Sequence, residues 1–241
     1  MKQYEAVIQT LEKLGGQATL AELYRHVMQV KECKWATKTP FASIRRIVQI
    51  RPEIFRVRPG LWALRSYQKQ LGLLAQDARH QTGESLGQGH AYYQGLLAAI
   101  GKMRGFETFV PNQDKNKLFV NRPLKDMRTL QEIPAFSHDP LVRRSSTIDV
   151  LWFNERKMPH SLFEVEHSTD IQNSLLKFYD LRDFHARMVI VADENRRPEF
   201  DQKSRLGALD EIKDRVKFLG YNTLAKEYEY ETLRASQEFV I

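Results

Sequence analysis

Apolar positions in the first 66 residues recur first at helical and then at alternating spacing. In "QYEAVIQTLEKLGG", Val7, Leu11 and Leu14 fall on one helical face, and the glycine pair that follows ends the run. "ATLAELYRHVMQV" repeats the pattern, with Thr19 as N-cap and Glu22 three residues on as the second half of a capping box. In "KTPFASIRRIVQI", Thr39 is placed to cap, Pro40 suits the first helical position, and Phe41, Ile44, Ile47 and Val48 make the apolar stripe. Lys38, Ser43, Arg45, Arg46 and Gln49 lie off it. "IFRVRPGLWAL" alternates about Pro59-Gly60 and predicts a hairpin, with Phe55, Val57, Leu61 and Ala63 in one register and Arg56 and Arg58 in the other.

Residues 67–89 lose this periodicity and decay into Gln, Gly, Ser and Thr, the composition of a linker. From His90 a second pattern begins. "HAYYQGLLAAIGKMRG" predicts a helix with Tyr93, Leu96, Leu97 and Ile100 inward, and "FETFVP" a short strand. Residues 146–153 and 161–167 predict two strands joined by a polar turn, followed by a helix capped by Ser168 or Thr169. "ARMVIVADE" reads as a covered strand, and "RVKFLGYNTLAKEY" as a further strand and helix. The expected fold is α/β: an N-terminal module over 1–66, a linker over 67–89, and a domain over 90–241 with a central mixed sheet flanked by helices.

Charge separates the two parts. Of 37 Lys+Arg and 30 Asp+Glu, residues 1–66 hold 12 and 5, so the whole net charge of +7 lies there and the remainder carries 25 of each sign. Three helices followed by a hairpin is the order of a winged helix-turn-helix, whose third helix enters the major groove and whose wing meets phosphate. Lys38, Ser43, Arg45, Arg46, Arg56 and Arg58 are the candidate DNA contacts. The wing "IFRVRPGLWAL" resembles that of the HARE-HTH winged helices, some of which accompany restriction enzymes; winged helices also serve as protein-binding modules. The single Cys33 excludes an intramolecular disulfide and a multi-cysteine zinc site. With no apolar run of membrane-spanning length, a cytoplasmic protein that binds no membrane is expected.

Candidate chemistry centres on "SLFEVEHSTD". Glu164 and Glu166, two apart in a strand, project from one side about 7 Å apart, a pairing that is costly to bury without a cation. Asp149 interrupts the apolar run of the preceding strand, and hairpin pairing brings it beside Glu164. Three converging carboxylates suit a hard divalent cation such as Mg²⁺, with Mn²⁺ as substitute. A helical polar residue, an Asp in one strand and Glu-x-(Lys or Glu) in its neighbour resemble the core of the PD-(D/E)XK, or restriction-endonuclease-like, nuclease superfamily, here as a Glu-x-Glu variant.

That resemblance implies a Mg²⁺-dependent endodeoxyribonuclease of restriction or phage-defence type. Asp149 and Glu164 would be metal ligands, and Glu166 would stand at the usual lysine position. Gln94 would steady the site, with His90 a lesser candidate. Lys177, on the next helix, is expected as an exposed helical lysine, with replacement of the absent lysine as the second reading, and His167 as a packed or capping histidine rather than a base. Double-stranded DNA is the expected partner, with a homodimer if both strands are cut. The alternative is a nuclease-fold regulator or adaptor that has lost activity.

Overall fold

The structure, a computed structural model, describes residues 1–71, 83–167 and 170–237. Its contacts divide the chain into two compact units, one of residues 1–81 with 232–241 and the other of residues 82–231.

In the first unit, α1 (Gln3–Lys13), β1 (Gln17–Thr19), α2 (Leu20–Val27) and α3 (Pro40–Ile50) precede the hairpin β2 (Ile54–Arg58) and β3 (Leu61–Leu64). An antiparallel sheet runs in the order β1-β3-β2. Gly15 and Gly16, at φ 84° and 89°, take the left-handed turn that ends α1. The capping box of α2 forms as expected: Thr19 Oγ1 accepts from Glu22 N at 3.1 Å, and the Glu22 carboxylate accepts from Thr19 N at 2.8 Å. Thr39 precedes α3 but makes no side-chain cap, because its backbone dihedrals leave the hydroxyl turned from the helix N–H groups and paired with Thr37. The hairpin buries Ile54, Leu61, Trp62, Ala63 and Leu64, while Phe55 and Val57 are only half-buried. A bulge between Arg56 and Arg58 breaks the simple alternation that the sequence suggested.

The second unit begins with α4 (Gly83–Met103), so this helix starts before His90, inside the stretch that reads as linker. There follow β4 (Glu107–Phe109), a small ribbon β5 (Leu118–Phe119) and β6 (Arg122–Pro123), α5 (Asp139–Ser145), β7 (Val150–Phe153), β8 (Pro159–Glu166), α6 (Ile171–Asp180), β9 (Arg187–Ala192), α7 (Arg197–Lys203), β10 (Val216–Gly220) and α8 (Tyr221–Gln237), whose residues from Thr232 on are counted with the first unit. The five-stranded sheet has the order β10-β9-β8-β7-β4, antiparallel from β4 to β8 and parallel from β8 to β10. It is the mixed sheet expected from the sequence.

Helices flank both faces. On one, Leu151, Phe153, Leu162 and Ile190 join Ile171, Leu175 and Phe178 of α6 in a continuous core. On the other, Trp152 donates through Nε1 to the Leu97 carbonyl of α4 at 3.1 Å. α6 is capped by Asp170, whose Oδ1 accepts from Gln172 N at 3.0 Å; Ser168 and Thr169, the expected caps, lie outside the described residues. No helix among the described residues is long and apolar enough to cross a membrane.

Candidate active site

The site lies where β7 starts and β8 ends. Antiparallel register sets Val150 opposite Phe163 and so carries Asp149, one residue before β7 rather than within it, across from Glu164. Asp149 Oδ2 accepts from the Val165 N–H at 2.7 Å. Strand alternation then turns Glu164 and Glu166, like Leu162, toward α6. Both carboxylates are buried, at 2% and 4% exposure.

α6 answers them with residues one turn apart. Ser174 Oγ lies 2.8 Å from Glu164 Oε2 and also hydrogen-bonds Glu166 Oε1. One hydroxyl proton cannot serve two ionised carboxylates, so a proton or a cation must be shared between them. Lys177, three residues on and therefore on the same helical face, sets Nζ 2.8 Å from Glu164 Oε2 and 3.0 Å from the Thr147 carbonyl. Arg196 Nη1 stands 3.9 Å from Glu166 Oε2. Burial, then the nearby charge of Asp149, push the Glu164 carboxyl up to about 8 despite Lys177 and Ser174.

α4 supplies the other wall. His90 and Gln94, four residues apart, face the same way. His90 Nε2 is 3.2 Å from Asp149 Oδ1. Burial alone would lower the His90 pKa, but the hydrogen bond and charge of Asp149 outweigh it and the net shift is upward. Gln94 is wholly buried and donates through Nε2 to Asp114 Oδ2 at 2.9 Å and to the Asp149 carbonyl at 3.2 Å. Asp114, in the turn after β4, is also paired with Lys117 at 2.5 Å. Among the described residues, His90, Asp114 and Asp149 can each present one ligand atom within 4.8 Å of the others. These groups line an open cavity of about 440 Å³, which Glu164, Glu166 and Lys177 also border. The cavity thus brings carboxylates, an imidazole and an ammonium together.

Residues 73–240 match the family described as the type II restriction enzyme NmeDI C-terminal domain. The chain belongs to this family. It is also 32% identical over 124 residues to the type II restriction enzyme NmeDI of Neisseria meningitidis serogroup C, an alignment covering 47% of this chain and 35% of that protein. The chain thus spans about a third of the relative's length. No solved structure gives a significant match.

In this NmeDI-type domain, the fold gathers Asp149, Glu164, Glu166 and Gln94 around one cavity wall or directly behind it. Lys177 departs from the expectation of an exposed helical lysine: it is half-buried, because Glu164 and the Thr147 carbonyl draw its ammonium inward. His167 packs through Nδ1 against the Tyr221 hydroxyl at 2.8 Å. Asp114 and Ser174 were not singled out by sequence. Ser174 had a signal, the i, i+3 spacing to Lys177 on the helix after a Glu-x-Glu strand. Asp114 had none, since "PNQDKNK" carries no periodicity.

The candidate DNA contacts all lie in the first unit. Arg45 and Arg46 are exposed on α3, and Lys38 is exposed just ahead of it. Ser43 is half-buried, with Oγ 3.4 Å from the Thr39 carbonyl. Arg56 is exposed on β2, and Arg58 is half-buried at its end.

Proposed function

We propose that the chain is a metal-dependent DNA endonuclease of the type II restriction kind, with a PD-(D/E)XK-like site in the second unit and a winged helix-turn-helix in the first. One observation carries the reading: Asp149 and Glu164 meet at the paired ends of β7 and β8 while Lys177 reaches Glu164 from the next helix. Membership of a family named for a restriction enzyme supports it.

The residues fit a hard divalent cation. Asp149 and Glu164 offer carboxylate oxygen, and the raised proton affinity of Glu164 marks a buried negative charge that a cation would offset. They would hold Mg²⁺, or Mn²⁺ in its place. When bound, the cation supplies Lewis acidity and positive charge facing the scissile phosphate and its leaving oxygen. The Val165 N–H and the Gln94 amide fix Asp149 from two sides. Lys177 provides the ammonium that Glu166 cannot, orienting an attacking water and stabilising charge that grows on the phosphate. Glu166, linked to Glu164 through Ser174, keeps the hydroxyl in register and is available to take the water's proton.

DNA is held by the first unit. The order of α1, α2 and α3 before the β2-β3 hairpin, the exposed Arg45 and Arg46 on α3, and the local charge excess support a third helix in the major groove and a wing on phosphate. A duplex offers two scissile strands and one site cuts one of them, so a symmetric dimer is the economical route to a double-strand break. A second reading, an inactive regulator with a nuclease fold, draws on Lys177 and Arg196 as charge partners for Glu164 and Glu166 that need no metal.

The test is incubation of the full chain with mixed plasmid, phage and genomic DNA in Mg²⁺ or Mn²⁺, beside Asp149→Ala and Glu164→Ala. Metal-dependent cleavage should be lost in both variants while DNA binding stays. Cleavage by either variant at the wild-type rate would refute the site, and a wild type that binds no divalent ion, with or without DNA, would favour the regulator.

A further inference from the structure

Asp149 has two oxygens with different surroundings. Oδ2 accepts from the Val165 N–H, on the strand that carries Glu164, while Oδ1 faces His90 Nε2 at 3.2 Å. The Asp114 carboxylate stands with them, so that one ligand atom from each of three separate segments, α4, the turn after β4 and the residue ahead of β7, lies within 4.8 Å of the others.

We propose that His90, Asp114 and Asp149 form a second cation position, selective for a divalent ion that accepts imidazole, such as Mn²⁺, with Asp149 bridging it to the position at Glu164. The inference rests on the reading of Asp149 as a metal ligand and adds a site with different ligand chemistry.

The dimensions suit it. Bonds of about 2.1 Å in an octahedral shell put ligand atoms about 3 Å apart when adjacent and about 4.2 Å when opposite. His90 Nε2 and Asp149 Oδ1, 3.2 Å apart, already fit adjacent positions, and no pair of the three donors exceeds 4.8 Å, so the others close by at most about 1.8 Å to become adjacent. Lys117 is the group that would give way: its ammonium sits 2.5 Å from Asp114 Oδ1, and its side chain, 43% exposed, is free to swing into solvent.

Gln94 supplies an independent sign. Its Nε2 holds both Asp114 and the Asp149 backbone, so it pre-positions two of the three ligand residues. The side chain is fully buried, and its Oε1 has no hydrogen-bond partner among the described residues. The same amide group, whose nitrogen is 2.9 Å from Asp114 Oδ2, therefore holds a buried acceptor without a donor next to two of the three ligand residues. An imidazole nitrogen suits Mn²⁺ and later transition ions better than Mg²⁺, which prefers an all-oxygen shell.

The experiment is Mn²⁺ titration of the full chain with pulsed electron paramagnetic resonance, which detects a directly bound ¹⁴N. The expected result is two bound ions, one with imidazole coupling. His90→Gln should abolish the coupling and lower the count to one, whereas His167→Gln, the control for the other histidine of the cavity, should preserve both. Glu164→Gln should keep the nitrogen-coupled ion while losing the other. A coupling that survives His90→Gln, or a wild type without coupling, overturns the proposal. Because the wild-type spectrum alone can refute it, a failure of His90→Gln to fold does not protect it. One uncoupled ion, lost in Glu164→Gln, would remove the second position and leave the nuclease site standing; no bound ion would remove both.

Discussion

Lys177 Nζ is 2.8 Å from Glu164 Oε2, and that contact ties the helix after the Glu-x-Glu strand to a carboxylate that burial pushes well above its ordinary pKa. If the ammonium served only to neutralise Glu164, Lys177→Met would leave chemistry to the remaining groups. In the proposed nuclease it also acts on the attacking water and the phosphate. Lys177→Met should therefore lower metal-dependent cleavage by roughly 100-fold or more, the scale of a lost proton-transfer or charge-stabilising group. DNA affinity should stay near wild type. Equal cleavage rates for the variant and the wild type would leave Lys177 a structural counter-ion.

The same carboxylate sets a pH dependence of stability. Its folded pKa, about 8, lies above the ordinary 4.5, so the fold holds the proton more tightly than the unfolded chain does. That stabilisation is complete below about pH 4.5 and is lost as pH rises through 8. The melting temperature of the metal-free protein should fall across this window, by about 2–4 °C per kcal/mol lost for a unit of this size. His90, also shifted upward, adds to the slope in the same direction, so Glu164→Gln should flatten the curve without levelling it. Identical wild-type and Glu164→Gln curves would contradict the assignment.

What the sequence made legible was whatever repeats or alternates. The stripe of α3, the capping box at Thr19 and the β7-β8 hairpin follow from local periodicity, and with the hairpin comes the approach of Asp149 to Glu164. The cation sought for Glu164 and Glu166 was harder to read, because Lys177 and Arg196 arrive from elements whose packing no local pattern encodes. Asp114 is the extreme case: an irregular turn is delivered to the site by the buried Gln94 amide and by the ribbon that packs on α4.

Gly95 controls that delivery. A Cβ built there would lie 2.3 Å from the Phe119 ring, and Phe119 belongs to β5, just beyond the Asp114 turn. No ordinary contact is so short, so Gly95→Ala must push the ribbon away from α4. The expected cost is about 1–3 kcal/mol from overpacking. Cation binding at the His90 side should weaken along with it, since Asp114 shifts with the ribbon. An unchanged melting temperature would mean that Phe119 relaxes freely and that the ribbon does not fix Asp114.

In the first unit the decisive pair is Arg45 and Arg46, exposed on adjacent positions of α3. If α3 enters the major groove, each guanidinium that meets a phosphate releases condensed counterions. The dependence of log affinity on log salt should then lose about 0.9 of slope per contact removed. Arg45→Ala with Arg46→Ala should weaken DNA binding most at low salt and least at high salt, and cleavage should fall in parallel. Thermal stability should hardly change, because the helix is anchored by Ile44 and Val48 on its opposite side. Thr19→Ala serves as the converse control: it removes the α2 cap, costs about 1 kcal/mol of stability, and should leave the salt slope intact. If the double arginine variant binds with wild-type affinity and slope, the DNA contact lies elsewhere and the first unit serves a protein partner instead.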